Sequence, residues 1–101
     1  MLVVTVHFQI RTGHAAQFSE RMVVQATTSL RSERDCVQFD VCRDVEDPHR
    51  VFLYEVYSGE QAFADHLASG QFREFDEQTR GWVEGKQVER WFREASPESS
   101  R

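Results

Sequence analysis

The middle of the chain, residues 36–66, carries the side chains best suited to chemistry: an acid, a phenol and an imidazole among aromatic residues. Tyr54 and Glu55 lie in an alternating run that ends at Tyr57, and His66 follows in a segment with helical spacing. A carboxylate or an imidazole can take up a proton, and a phenol can donate a hydrogen bond to a developing oxyanion. This set of groups is typical of a small-molecule site, although ordinary small cores also contain it.

Tyr54 and Glu55 are not expected to line one wall, because adjacent residues of a strand point to opposite faces. We expect Tyr54 and His66 to converge on the face covered by helices, and Glu55 to face a dimer partner. Two interpretations of Glu55 stay open: an ion pair with an arginine across the dimer, or a buried acid of raised pKa. His66 is either a catalytic base or a structural histidine near a helix end.

A polar residue on an apolar stripe and several aromatic residues are candidates for substrate contact. Gln25 is the one long polar residue on the apolar stripe of a predicted helix, so a buried Gln25 needs a partner such as a ligand or a bound water. Phe39, Phe72 and Trp82 are candidate walls, although such aromatics more often form plain core. Arg50 is a candidate contact for an anionic substrate.

Metal, nucleotide and nucleic-acid chemistry find little support in the sequence. A metal site needs three or four convergent ligands, yet the four histidines fall on four different predicted elements: His7, His14, His49 and His66. There is no glycine-rich phosphate loop or dinucleotide fingerprint, so we expect neither a metal nor an organic cofactor. A net charge of −5 argues against a nucleic-acid partner.

Length and patterning indicate one small domain. A chain of 101 residues is long enough for a single core, and no run approaches the ~20 apolar residues of a membrane helix. The first ten residues lack the basic flank of a signal peptide, so we expect a cytoplasmic protein without a membrane partner. Cys36 and Cys42 would lie roughly 20 Å apart on one strand, which predicts free thiols.

The elements that must position these side chains follow the order β-α-β-β-α-β. Alternating apolar residues predict four strands over 2–10, 37–43, 50–57 and 86–93. Spacings of three and four predict helices over 14–32 and 71–83, the latter ended by Gly85, and a capping-box pattern at 58–61 opens another helix between them. This is a ferredoxin-like α+β fold, a four-stranded antiparallel sheet with helices on one face. The domain covers 1–93, and 94–101 form a polar C-terminal tail.

The sheet face without helices is expected to be apolar. It would carry Val3, Gln38, Cys42, Trp91 and either Tyr54 or Tyr57. A patch of this kind is poorly suited to contact with water. A twofold homodimer that packs sheet on sheet would bury the same patch of both subunits.

The order and spacing of several short motifs across residues 2–93 resemble the antibiotic biosynthesis monooxygenase (ABM) family of dimeric α/β barrels. The nearest branch resembles the quinol monooxygenases and the LsrG-type enzymes, which process a phosphorylated signal. Gln25 and Gln71 stand where relatives usually have Asn and His. The motifs are Val4-Thr5-Val6-x-Phe8, Cys36-x-x-Phe39-Asp40-Val41-x-Arg43-Asp44, Asp47-Pro48-x-Arg50, Leu53-Tyr54-Glu55-x-Tyr57 and Ala62-Phe63-x-x-His66.

The resemblance implies a cofactor-independent monooxygenase acting on quinol-like or enolisable carbonyl compounds. His66 would be its base, with Gln25 and Tyr54 orienting substrate oxygens. An LsrG-like isomerase of a phosphorylated hydroxy-dione is an alternative, which Arg43 or Arg50 in the pocket would favour. A non-catalytic small-molecule-binding or stress-response barrel is another, and a haem-binding relative would need an axial histidine.

Overall fold

The computed structural model describes residues 1–97 and confirms the β-α-β-β-α-β order, with the second helical region divided in two. The strands are β1 (Leu2–Ile10), β2 (Cys36–Arg43), β3 (Arg50–Tyr57) and β4 (Val83–Phe92). The helices are α1 (Ala15–Ser32), α2 (Glu60–Ala68) and α3 (Gly70–Thr79), followed by a 3₁₀ turn (Arg80–Trp82). The predicted polar tail begins at residue 94, and its last part, 98–101, lies outside the described residues.

One antiparallel sheet carries the domain, with the strand order β2-β3-β1-β4. Strict alternation along β1 sends five apolar side chains to the face that the helices cover. All five are at most 6% exposed: Leu2, Val4, Val6, Phe8 and Ile10. The helix α1 packs on this face through the predicted stripe, where the Phe18 ring lies 4.9 Å from that of Phe8. The core therefore lies between the sheet and its single helical layer.

Strand β2 carries a bulge that the alternating pattern does not predict. The pairing of β2 with β3 shifts register between Cys36 and Gln38. The extra residue places Cys36 and Phe39 together in the core and leaves Val37 52% exposed. Strict alternation over the predicted strand 37–43 would place Val37 on the same face as Phe39, and the bulge prevents this.

The last helix ends earlier than predicted. After α3 ends at Thr79, the 3₁₀ turn leads directly into β4, which begins at Val83 rather than at residue 86. Gly85 lies inside the strand opposite Gln9, beside a shift in the β1–β4 register, and does not end a helix. Trp82 therefore belongs to the turn and not to α3. Its ring stacks on that of His14, with the two ring centroids 6.0 Å apart.

The predicted capping box at the start of α2 is also wrong. Gly59 is the N-cap residue there and provides no side-chain hydrogen bond, while Gln61 donates to Asp65 instead of reaching back. Ser69 performs the capping one helix later, since its hydroxyl oxygen accepts a hydrogen bond from the Phe72 N–H. The Ser69 hydroxyl also donates to the His66 carbonyl, so a single serine ends α2 and starts α3.

Two further expectations concern the cysteines and the membrane. Cys36 and Cys42 lie on the same strand and are free thiols, as predicted. Across residues 1–97, no helix is long and apolar enough to cross a membrane.

Candidate functional site

A narrow cavity of about 40 Å³ lies between the sheet and the helices, with room for two or three water molecules. Its walls come from all three helices and from strands of the sheet. Five of the predicted site residues line it together: Gln25, Phe39, Glu55, His66 and Phe72. The cavity is the place where acid, imidazole, amide and aromatic side chains meet.

Tyr54 lies on the opposite face of the sheet. It pairs across β1 with Thr5, and its hydroxyl oxygen accepts a hydrogen bond from Arg93 Nη2 at 3.1 Å. The expected convergence of Tyr54 and His66 is therefore wrong, and so is the expectation that Glu55 faces a dimer partner. Glu55 shares its strand face with Leu53 and Tyr57, and this is the face that the helices cover.

Two other candidates also lie outside the cavity. Arg50 stands at the beginning of β3, where its Nη1 donates to Asp44 Oδ2 at 2.7 Å across the β2–β3 turn. Trp82 stacks on His14 at the far end of the helical layer. Of the three predicted aromatic walls, Phe39 and Phe72 line the cavity and Trp82 does not.

A buried acid–phenol pair forms one side of the site. The Tyr57 hydroxyl donates to Glu55 Oε1 at 2.5 Å, and the two residues are 0% and 3% exposed. Burial raises the pKa of Glu55 to about 7, although the Tyr57 hydrogen bond and the Lys86 charge both act to lower it. Burial and the neighbouring Glu55 carboxylate raise the pKa of Tyr57. Glu55 can therefore exchange a proton near neutral pH, whereas Tyr57 remains a hydrogen-bond donor.

A buried imidazole held by a carboxylate forms the other side. His66 is 3% exposed, and its Nδ1 lies 2.8 Å from Oε1 of Glu33, the residue that follows the end of α1. A carboxylate only accepts hydrogen bonds, so Nδ1 carries the proton and Nε2 is left for other partners. Gln71 Nε2 donates to the other oxygen of Glu33. One carboxylate thereby ties α1 to both α2 and α3.

Aromatic rings enclose the imidazole. The centroids of four rings lie between 5.2 and 6.3 Å from that of His66, and they belong to Phe39, Tyr57, Phe63 and Phe72. Such a wall excludes water and strengthens electrostatic interactions inside the cavity.

Gln25 brings an unsatisfied donor to the cavity. The side chain is 2% exposed, and its Nε2 has no hydrogen-bond partner within residues 1–97. A buried donor without a partner costs about 1–3 kcal/mol. A substrate oxygen or a bound water can satisfy it.

The sequence did not single out Glu33, Tyr57 and Lys86 as site residues. Tyr57 could have been found, because it lies two positions from Glu55 and so shares its strand face. Glu33 and Lys86 reach the site through tertiary packing, for which the local pattern gives no indication.

The Cys36 thiol lies nearby, but burial raises its pKa to about 12, so it is not a nucleophile at neutral pH. Residues 1–97 contain no group of three or more His, Cys, Asp and Glu side chains that could hold a metal ion.

The fold and the cavity together define a class: a ferredoxin-like α+β domain with a narrow cavity between sheet and helices that acid, imidazole, amide and aromatic side chains line. Residues 1–78 match the antibiotic biosynthesis monooxygenase (ABM) family. The chain belongs to this family.

Solved structures share the fold. A proposed antibiotic biosynthesis monooxygenase from Nitrosomonas europaea superposes with a TM-score of 0.88 at 23% identity, covering 94% of this chain and 100% of that one. A second, from Deinococcus radiodurans, gives a TM-score of 0.89 at 18% identity with full coverage of both chains. A third, from Bacteroides thetaiotaomicron, gives 0.88 at 18% identity, covering 99% and 95%. No curated protein matches the chain significantly by sequence.

Proposed function

We propose that this chain is a cofactor-independent monooxygenase that acts on quinol-like or enolisable carbonyl compounds. One observation carries the proposal: His66, Glu55 and the unpartnered amide of Gln25 line a single aromatic cavity. The family to which the chain belongs supports it.

The side chains suit a reaction that begins with proton removal. Nε2 of His66 takes a proton from the C–H or O–H group of the substrate, while Glu33 holds the other side of the ring. The Gln25 amide donates to the oxygen on which negative charge develops. The resulting electron-rich anion can pass an electron to O₂ itself. The Glu55–Tyr57 pair supplies an acid that can give up or recover a proton near neutral pH.

The isomerase alternative loses the two arginines that were to favour it, although Lys86 lines the cavity. Arg43 and Arg50 lie outside the aromatic cavity, and Arg50 is paired with Asp44. The family match over residues 1–78 favours oxygenation, which is the function we propose. Isomerisation and simple binding remain outcomes of the test.

The test is oxygen uptake with a panel of hydroquinones, anthrones and 1,3-diones, followed by mass spectrometry of the products. We expect substrate-dependent uptake with incorporation of ¹⁸O from labelled O₂, unchanged by EDTA and without flavin or haem absorbance in the protein. Isomerised product without oxygen uptake would instead indicate an isomerase. Ligand-induced thermal stabilisation without any conversion would indicate a binding protein.

His66 provides the matched test of the site. Replacement of a general base costs about 10²–10⁴ in rate. Because His66 is buried against Glu33, His66→Ala will also lose stability, so His66→Asn is the sharper variant: its amide N–H can replace Nδ1–H. We expect His66→Asn to stay folded in a thermal melt and to lose turnover. Retained turnover in this variant would exclude His66 as the base.

A further inference from the structure

Lys86 lies at the mouth of the aromatic cavity, by which we mean the boundary between this cavity and a neighbouring groove. The cavity shares its outer wall with an open groove of about 760 Å³ that runs between α2, α3 and β4. Five residues line both spaces: Phe63, Leu67, Phe72, Lys86 and Val88. These five residues form a collar between the groove and the cavity.

The sizes of the two spaces determine how a substrate can sit. The inner cavity, at about 40 Å³, admits a reactive group but not a whole ring system with its substituents. The groove has ample room for the rest of the molecule. A substrate whose reactive end points toward His66 and Glu55 therefore passes its remaining substituents through the collar, beside Lys86.

Lys86 differs from the other charged residues of the groove. Arg90 Nη1 lies 3.5 Å from Glu60, and Asp76 accepts from Arg80 at 2.7 Å. Within residues 1–97, Lys86 has no carboxylate oxygen within 4.0 Å of its ammonium nitrogen.

Aromatic rings hold the lysine over the mouth. Its Nζ lies 5.5 Å from the ring centroid of Phe8 and 5.8 Å from that of Phe72. Contacts between a cation and the face of an aromatic ring are attractive at this range. They place the charge at the entrance and leave its hydrogen-bond donors available to a ligand.

We propose that Lys86 is a specificity residue that binds an anionic substituent, a carboxylate or a phosphate ester, on an otherwise aromatic substrate. The inference rests on the proposed function, because it assumes that the substrate's reactive end enters the cavity. An anion at the collar would pair with Lys86, as Glu60 pairs with Arg90 further along the groove. The substrate class is accordingly a phenol or quinol that bears one acidic group.

Calorimetric titration with three naphthalene ligands tests this inference without any need for turnover. The ligands are 1-naphthol, 5-hydroxy-1-naphthoate and 5-hydroxy-1-naphthyl phosphate, which all keep a phenol and carry at the far side of the ring no group, a carboxylate or a phosphate ester. We expect one of the two anionic ligands to bind about fivefold more tightly than 1-naphthol at low salt, as for a partly exposed ion pair. The preference should shrink as salt is added.

Matched variants assign the effect to one residue. Lys86→Met keeps an unbranched side chain over the two rings and should abolish the preference for the anion, measured as the ratio of the affinities for the anionic ligand and for 1-naphthol within the same variant. Lys86→Arg should keep the preference. Arg90→Met, on the same strand face but paired with Glu60, should also keep it.

The outcomes separate the two proposals. Equal binding of neutral and anionic ligands by the wild-type protein would overturn the anion subsite and leave the oxygenase proposal intact. A preference that survives Lys86→Met, or that Arg90→Met removes equally, would also overturn it. Failure of all three ligands to bind would overturn both the subsite and the aromatic substrate pocket on which it rests.

Discussion

Two tyrosines of β3 distinguish the inside of the site from the outside. Tyr57 donates to Glu55 within the core, whereas Tyr54 bonds to Arg93 on the opposite face. Tyr57→Phe removes the donor that positions the Glu55 carboxyl group in the site, so we expect about a tenfold or greater loss of turnover if this acid exchanges a proton during the reaction. Tyr54→Phe should turn over at nearly the wild-type rate in the same oxygen-uptake assay. Equal losses in the two variants would contradict this placement of the site.

The buried acid makes stability depend on pH in a defined direction. Because the pKa of Glu55 rises from 4.5 to about 7 on folding, the folded state binds more protons than the unfolded state between these values. Its contribution to the unfolding free energy therefore falls as pH rises through this window, by about 3 kcal/mol at most, and levels off above it. Chemical denaturation at pH 5 and pH 8 measures the change.

Glu55→Gln is the matched control for that dependence. The amide can accept the Tyr57 hydrogen bond but does not titrate, so the fall in stability between pH 5 and pH 8 should become smaller. An unchanged pH dependence in this variant would show that Glu55 is not the group responsible.

At the residue scale, the sequence predicted which side chains form the site better than it predicted where those side chains lie. Gln25 and His66 could be identified because each interrupts an apolar helical stripe, and a polar group there is conspicuous. Tyr54 and Glu55 were correctly separated by alternation but assigned to the wrong faces, although Leu53 and Tyr57 beside Glu55 marked the inner one. Glu33 could not be predicted, since only the packing of α1 against α2 and α3 brings its carboxylate to His66.

Two serines provide a test at the scale of the helix. The Ser69 hydroxyl caps α3, whereas Ser58 precedes α2 without capping it. Loss of an N-cap side chain costs about 1 kcal/mol, so Ser69→Ala should lower the unfolding free energy by about this amount. Ser58→Ala should stay within about 0.5 kcal/mol of wild type. Denaturant titration of both variants checks the contrast, and a larger loss for Ser58→Ala would restore the capping box.

Hydrophobic periodicity predicted the strands and helices themselves. The errors in their bounds lie at positions where two local sequence rules give different answers. The strands β1 and β3 were predicted with their observed bounds, because long alternating runs leave little ambiguity. The beginning of β4 was missed because Gly85 looked like a helix end, whereas pairing with β1 keeps it in the strand. The bulge at Val37 depends on which residues of β3 pair with those of β2. The sequence of β2 alone does not give this pairing.

At the scale of the whole molecule, the sheet face without helices combines buried and exposed apolar residues. Its centre is already covered within one chain, since Val3 and Val56 are 7% and 1% exposed. Trp91 stays 52% exposed while its indole N–H donates to Thr5 at 3.1 Å. A large aromatic residue in this position is typical of a surface that another protein covers. We expect a second copy of this chain to cover it.

Trp91→Glu therefore tests the homodimer. The substitution places a charge on the expected interface, where burial without a partner is costly, and should shift the protein toward monomer in sedimentation velocity at micromolar concentration. Val45→Glu is the matched control, because Val45 is fully exposed in the β2–β3 turn and should leave the assembly unchanged. Val3→Glu is a poor choice, since Val3 is buried within the single chain and its replacement would unfold the protein as well. A wild-type protein that sediments as a monomer under these conditions would contradict the sheet-on-sheet dimer, and the open face would then need a different partner.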